Sequence, residues 1–149
     1  MAISLTPRKI LVMGLPGAGK TTLTRALAPL LKAVVLNADE VRANLNKDLG
    51  FSLADRIEHA RRMGWLCDKA VEAGGVAIAD FVCPTPQTRA AFGARFAVWI
   101  DRIDSSRFED TNRLFSPPET CDVRVSPQGT AAEWAQVVFE ALRDAKCPE

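Results

Sequence analysis

Gly14-Leu15-Pro16-Gly17-Ala18-Gly19-Lys20-Thr21-Thr22 is the stretch on which the rest of this chain depends. It fits the pattern G-x-x-x-x-G-K-[ST] without a gap or a substitution. Its flanks complete the context. Residues 9–13 (KILVM) form a short apolar run that reads as a buried strand, and Leu23, Ala26, Leu27, Leu30 and Leu31 then recur at helical spacing. Between such a strand and such a helix, the loop of Gly14, Pro16, Gly17, Ala18 and Gly19 turns successive N–H groups inward to cradle a phosphate chain. Lys20 would reach the outer phosphates, the Thr21 hydroxyl would ligate Mg²⁺, and Thr22 continues the first turn. A Gly-rich turn with an incidental Lys leaves those flanks unexplained. The stretch therefore predicts a protein that binds a nucleoside triphosphate.

Working outward, residues 33–36 (AVVL) read as a second buried strand, and a short helix is expected over 40–45. Ser52 to Asp55 has the composition of an N-cap for a long helix to about Glu72, with Ile57, Ala60, Gly64, Cys67 and Val71 as its core stripe. Arg56, His59 and Met63 fall on an adjoining face. Gly74-Gly75 ends that helix, and 76–79 (VAIA) is a third strand closed by Asp80. Pro84-Thr85-Pro86 opens a helix to about Arg95, and 97–100 (AVWI) is a fourth strand. Residues 102–119 lack periodicity and read as a mobile surface segment with one helical turn. A weak fifth strand at 121–125 and an amphipathic helix through Trp134, Val137, Val138, Ala141 and Leu142 finish the chain. Alternating strands and helices predict an α/β three-layer sandwich with a five-stranded, mainly parallel sheet. Ligands in such sheets sit at the carboxyl ends of the strands, where Asp39, Asp80 and Asp101 fall.

At 149 residues the chain is expected to be one domain, 1–149, with room for a single core. The net charge of +1 offers no bulk attraction for nucleic acid or an anionic membrane. No stretch has the length of a membrane span, and the first eight residues lack a signal-peptide core, so a cytoplasmic protein is expected. Cys67, Cys83, Cys121 and Cys147 stand far apart with no C-x-x-C pair, and the chain has one His. That spacing argues for free thiols and against zinc. A homodimer is compatible with all of this.

A phosphate loop alone does not separate a kinase from a GTPase or a motor. The chain is short for a motor, and the N-K-x-D guanine signature is absent. The end of the second strand is more informative. In N-x-D-x-x-R (Asn37, Asp39, Arg42), a carboxylate follows the strand directly and faces the phosphate loop. Such a carboxylate can take the proton of an acceptor hydroxyl as the phosphoryl group moves. Arg42 lies about one helical turn further and can hold a substrate anion. The structural alternative makes Asp39 a helix N-cap and Arg42 a solvated side chain.

These residues carry a resemblance. G-L-P-G-A-G-K-T-T-L, then L-N-A-D-E-V-R, then L-N-K-D-L-G-F-S-x-x-D-R-x-E-x-x-R-R up to Arg62 resembles the adenylylsulfate kinase family. That family reads G-L-S-G-A-G-K-S-T, L-D-G-D-x-x-R and L-N-x-D-L-G-F-S-x-x-D-R-x-E-N-x-R-R at these places. The likeness continues thinly through Phe81 to Pro84 and through Ser116 to Glu119. It implies ATP, Mg²⁺ and transfer to the 3′-hydroxyl of adenosine 5′-phosphosulfate, a small-molecule acceptor. It also implies Asp39 as base, Arg42 and Arg56 on the phosphosulfate, Phe51 on the adenine, and His59 and Phe81 at the substrate.

The departures are as informative. Asn37 replaces the first Asp of D-G-D, His59 the Asn of E-N-x-R-R, and Cys83 the Ser of F-I-S-P. Asp80 stands where the family has a small residue, and would serve with Thr21 at the Mg²⁺. The family's lid, R-D-x-K-G-L-Y-x-K-A-R, is missing. Arg102, Arg107 and Arg113 are the remaining candidates for a lid arginine, with Arg107 foremost as a catalytic residue beside Phe108. At least one of Arg102 and Arg113 is expected instead in a surface ion pair with Asp104 or Glu109. Two other readings stay open: a kinase for another hydroxyl acceptor, such as a polynucleotide 5′-end, and a nucleotide-binding module without turnover.

Overall fold

The computed structural model describes residues 8–145. Among these, strands and helices alternate as β1 (Arg8–Met13), α1 (Lys20–Leu31), β2 (Val34–Asn37), α2 (Ala38–Asn44), α3 (Leu53–Glu72), β3 (Val76–Asp80), α4 (Pro86–Phe92), β4 (Phe96–Ile100), α5 (Glu109–Leu114), β5 (Val123–Val125) and α6 (Ala131–Asp144). The strands form one sheet of order β2-β3-β1-β4-β5, parallel at every pairing rather than mainly so. Helices on both faces of a parallel sheet give the three layers, because each crossover must return over one face.

The pleat of β1 divides the core. Ile10 and Val12 face α1 and α6, against Leu23, Leu27, Val138 and Leu142. Leu11 and Met13 face α3 and α4, against Ala60, Met63, Cys67 and Phe92. Full burial of a side chain such as Leu11 is worth roughly 1.5–3 kcal/mol, so the loop after β1 leaves a rigid base. Lys9, in the strand's first turn of pleat, is also buried, lying over the Phe92 ring and paired with Asp68 at 2.9 Å.

Three expectations are corrected. The second strand is not buried: β2 is an edge strand with one neighbour, and Val34 is 52% exposed. The core face of α3 is His59, Ala60, Met63, Gly64 and Cys67, with Ile57 and Val71 only half-buried. It turns toward α4, where Gly64 lies against the Phe92 carbonyl so closely that a Cβ would sit 2.2 Å from its oxygen. α4 stops at Phe92, three residues early, because Gly93 takes the left-handed conformation (φ 75°) that caps it.

The chain moves from β1 to β2 on one side and from β3 to β4 on the other. The crevice between β1 and β3, at their carboxyl ends, is therefore the place the topology reserves for a ligand.

Candidate active site

The glycine loop leaves β1 at Gly14, whose φ of 154° and closeness to Ile100 exclude a side chain: a Cβ would lie 2.7 Å from the Ile100 carbonyl oxygen. α1 then starts at Lys20 with Gly19 as a cap that supplies no side-chain bond. Its first N–H groups are left for an anion. The Lys20 ammonium donates to the Leu15 carbonyl at 2.9 Å, folding over the loop it is to serve. Burial lowers its pKa from the ordinary value, against the raising pull of Asp80 and Asp39.

Across the crevice, β2 and β3 end side by side with Asn37 opposite Asp80. Asp80 is 3% exposed, and its Oδ2 accepts from Thr21 Oγ1 at 3.0 Å and from Asn37 Nδ2 at 3.2 Å. Burial raises its pKa, opposed by those two hydrogen bonds and by Lys20. A cavity of about 760 Å³ opens beside this group, lined by Thr21, Thr24, Asn37, Asp39, Glu40 and Asp80 among others. Thr24 Oγ1, one turn along α1, is buried without a partner. Hydroxyl and carboxylate oxygens with a lone buried hydroxyl behind them are a hard donor set. They suit Mg²⁺, which takes few protein oxygens and completes its shell with water and substrate phosphate.

Asp39 is not the N-cap of α2. Asn37 is, its Oδ1 accepting from the N–H of Asp39 at 3.0 Å and of Glu40 at 3.2 Å. Asp39 is exposed on the cavity wall, with its carboxylate free of structural duty. Asp101, the third strand-end acid, is engaged by Arg124 Nε at 2.8 Å.

Phe51 is 68% exposed, with two guanidinium groups over its ring, Arg42 at 4.3 Å and Arg56 at 5.5 Å from the ring centre. Both arginines are fixed by backbone of the same loop. Arg42 Nη1 donates to the Gly50 carbonyl at 2.8 Å and Arg56 Nε to the Phe51 carbonyl at 3.0 Å. Arg56 also reaches Thr111 of α5 at 3.4 Å. The expected grouping of Arg42, Phe51 and Arg56 is thus a physical one.

His59 and Phe81 are different. Both are buried, at 3% and 6% exposure, and meet each other edge to face at 6.2 Å. Neither lines the cavities beside the loop. Both side chains pack into the core, and α3 turns His59 inward onto Asn46, 2.9 Å from its Nδ1. Arg42, Phe51 and Arg56 line neither cavity either. Arg107 stands exposed over its neighbour Phe108 and lines neither cavity. The expected ion pairs of Arg102 and Arg113 are not found among the described residues. Arg102 instead donates to the Pro127 and Gly129 carbonyls at 3.0 and 2.8 Å.

That contact roofs a second cavity, about 320 Å³, which the sequence did not announce. It adjoins Ala18, Gly19 and Thr22 of the loop on the side opposite Asp80, and Arg102, Gly129, Thr130 and Trp134 complete its wall. Trp134 was legible only as a helix-face apolar residue. Its indole N–H donates to the Gln128 carbonyl at 2.6 Å, which aligns the ring along the wall.

A parallel sheet of this order, a glycine loop opening α1, and a buried strand-end carboxylate bonded to the loop's threonine define a phosphate-loop nucleotide-binding protein of the kinase type. Residues 6–101 match the family model described as adenylylsulphate kinase, and the chain belongs to that family. An adenylyl-sulfate kinase of Shewanella sp. (strain ANA-3) is 46% identical over 88 residues, covering 56% of this chain and 43% of that protein. One from Shewanella baltica (strain OS195) is 38% identical over 121 residues, covering 78% of this chain and 55% of its own length. The chain thus spans about half the length of these curated relatives. The structure of the Mycobacterium tuberculosis APS kinase CysC in complex with AMPPNP and APS superposes with a TM-score of 0.84, over 94% of this chain and 99% of that one. At 24% identity, that likeness speaks for the fold.

Proposed function

We propose that the chain is an ATP-dependent adenylyl-sulfate kinase, acting as one domain, that moves the γ-phosphoryl group of ATP to the 3′-hydroxyl of adenosine 5′-phosphosulfate. The observation that carries the acceptor is the cluster of the exposed Phe51 ring with the Arg42 and Arg56 guanidiniums over it. An exposed aromatic ring of this kind can pack against a nucleobase, and the two guanidiniums beside it suit a phosphosulfate. The family and its curated relatives support the same acceptor.

ATP lies with its phosphates on the glycine loop and its base toward the cavity walled by Trp134 and Arg102. Lys20 meets the outer phosphates. Thr21 and Asp80 hold Mg²⁺, which supplies charge neutralisation at the transferring group. Asp39 takes the proton of the attacking hydroxyl, and Arg107 reaches the site when residues 102–119 close.

The test is an acceptor screen with labelled ATP: adenosine 5′-phosphosulfate, nucleosides, sugars and 5′-hydroxyl oligonucleotides, with Lys20→Ala as control. Label is expected in the phosphosulfate and absent with the Lys20 variant. Label in another acceptor alone would replace this reading, and label transfer by the Lys20 variant would sink the assigned phosphate loop.

A further inference from the structure

Asn37 closes β2 directly opposite Asp80 at the end of β3, and both ends of its amide are in use. Its Oδ1 accepts the N–H groups of Asp39 and Glu40, the first turn of α2. Its Nδ2 donates to Asp80 Oδ2 at 3.2 Å, the same oxygen that Thr21 Oγ1 reaches at 3.0 Å. Two donors on one oxygen stop the buried carboxylate from turning. The other oxygen, Oδ1, has no hydrogen-bond partner among the described residues, while Asp80 lines the larger cavity. Few side chains can do both jobs. Ser or Asp supplies the cap acceptor but no N–H donor for the carboxylate, and Lys or Arg supplies a donor but no acceptor.

We propose that Asn37 is a positioning residue, whose amide sets the Asp80 carboxylate so that its free oxygen is presented to the divalent cation. The same side chain ties that carboxylate to the start of the helix bearing Asp39. One amide therefore fixes the metal-side and acceptor-side acids relative to each other. The proposal rests on the ATP and Mg²⁺ part of the kinase reading and is independent of the acceptor.

Two variants separate this role from capping alone. Asn37→Ser keeps a good N-cap but loses the amide N–H that reaches Asp80, its shorter hydroxyl being used as the cap acceptor. Asn37→Asp keeps the cap and the shape, and puts a second carboxylate against the buried one. The readouts are Mn²⁺ affinity of the ADP complex by electron paramagnetic resonance, ADP affinity in chelator, and Tm in chelator and in Mn²⁺. Loss of an outer-shell partner of this kind weakens metal affinity by about 10- to 100-fold. We expect Asn37→Ser to bind Mn²⁺ at least about 10-fold more weakly, with ADP affinity in chelator unchanged and a fall in Tm from the lost bond to a buried carboxylate. We expect Asn37→Asp to melt below wild type in chelator and to recover in Mn²⁺, because two adjoining carboxylates repel until a cation lies between them.

Wild-type Mn²⁺ affinity in Asn37→Ser would reduce Asn37 to a helix cap and overturn the proposal. So would an Asn37→Asp protein with wild-type Tm in chelator. If Asn37→Ser fails to fold, the Asp variant decides alone: cation-dependent recovery supports the role and a cation-independent Tm refutes it. No readout involves the acceptor, so a chain that phosphorylates something other than adenosine phosphosulfate leaves this result standing.

Discussion

Asp39 occupies the second position of α2, and its backbone N–H is taken by Asn37, so its carboxylate contributes little to folding. Asp39→Asn should therefore lower kcat by about 100-fold or more, the usual worth of a positioned general base. Tm should stay at wild type, and steady-state kinetics with thermal melting checks both. Normal turnover would pass the role to Asp80, since Arg124 already holds Asp101. His59 gives the opposite kind of residue, one that folding needs. Asn46 Oδ1 accepts from Arg62, so its Nδ2 donates to His59 Nδ1, and the buried Nε2 that carries the proton has no partner. Burial first, then Arg42 and Arg62, push the His59 pKa down to about 4. The unfolded chain, with a His near 6.5, takes up its proton first as pH falls. Stability should thus be full above about pH 6.5 and decline through the window down to about 4. Melting across that range should show the slope in wild type and a flatter profile in His59→Asn, an amide able to bond Asn46 without titrating. Equal slopes would place the acid sensitivity elsewhere.

The segment 102–119 is tied at both ends, and α5 is tied once more where the buried Thr111 accepts from Arg56. Arg102 is tied to the Pro127 and Gly129 carbonyls, and Ser116 N–H donates to the Pro84 carbonyl at 2.7 Å. Arg89 reinforces the second anchor by bonding the Cys83 carbonyl at 3.2 Å and the Ser116 carbonyl. Between them, Arg107 and the 46% exposed Phe108 stand clear of both cavities, beside the short helix α5. Closing this span as a lid means bending at its ends and releasing the Arg56–Thr111 bond. Arg107→Ala should lower kcat more than it raises the KM for ATP, because a lid arginine acts on charge that develops in the transition state. Arg107→Lys should restore only part of it, lacking the planar fork that grips two oxygens. Wild-type kcat in both variants, measured with the acceptor the screen identifies, would make the segment an ordinary surface loop. The helix itself gave no periodic signal, since six residues with one buried side chain, Thr111, are too few to show one.

At the scale of the whole molecule, what the sequence made legible was local and what it hid was relational. The strand–loop–helix around Lys20, the Ser52 cap of α3 and the sequence of elements could all be read, because each depends on neighbours in the chain. The edge position of β2 follows from sheet order, and the inward turn of His59 from where α4 packs; no spacing encodes either. Gly64 was legible as part of a stripe but not as the point where α3 meets the Phe92 backbone. The second cavity was hidden for the same reason, since its wall joins the glycine loop to residues more than a hundred positions away. That wall gives a test of the side of the loop on which nucleotide binds. The cavities lie on opposite sides of the loop, one reaching Asp80 and Asp39, the other Trp134. Nucleotide should therefore change the emission of Trp134, whose indole is fixed by the Gln128 carbonyl. Trp65, 54% exposed on α3, and Trp99, beside Arg124 on β4, line neither cavity. Titration of a non-hydrolysable ATP analogue should quench the intrinsic fluorescence in wild type and in Trp65→Phe, and fail to do so in Trp134→Phe. ATP affinity of Trp134→Phe should fall by several-fold, since losing one aromatic stacking partner costs about 1 kcal/mol. A full response in Trp134→Phe would move the base of ATP to the other side of the loop and reverse the assignment of the two cavities.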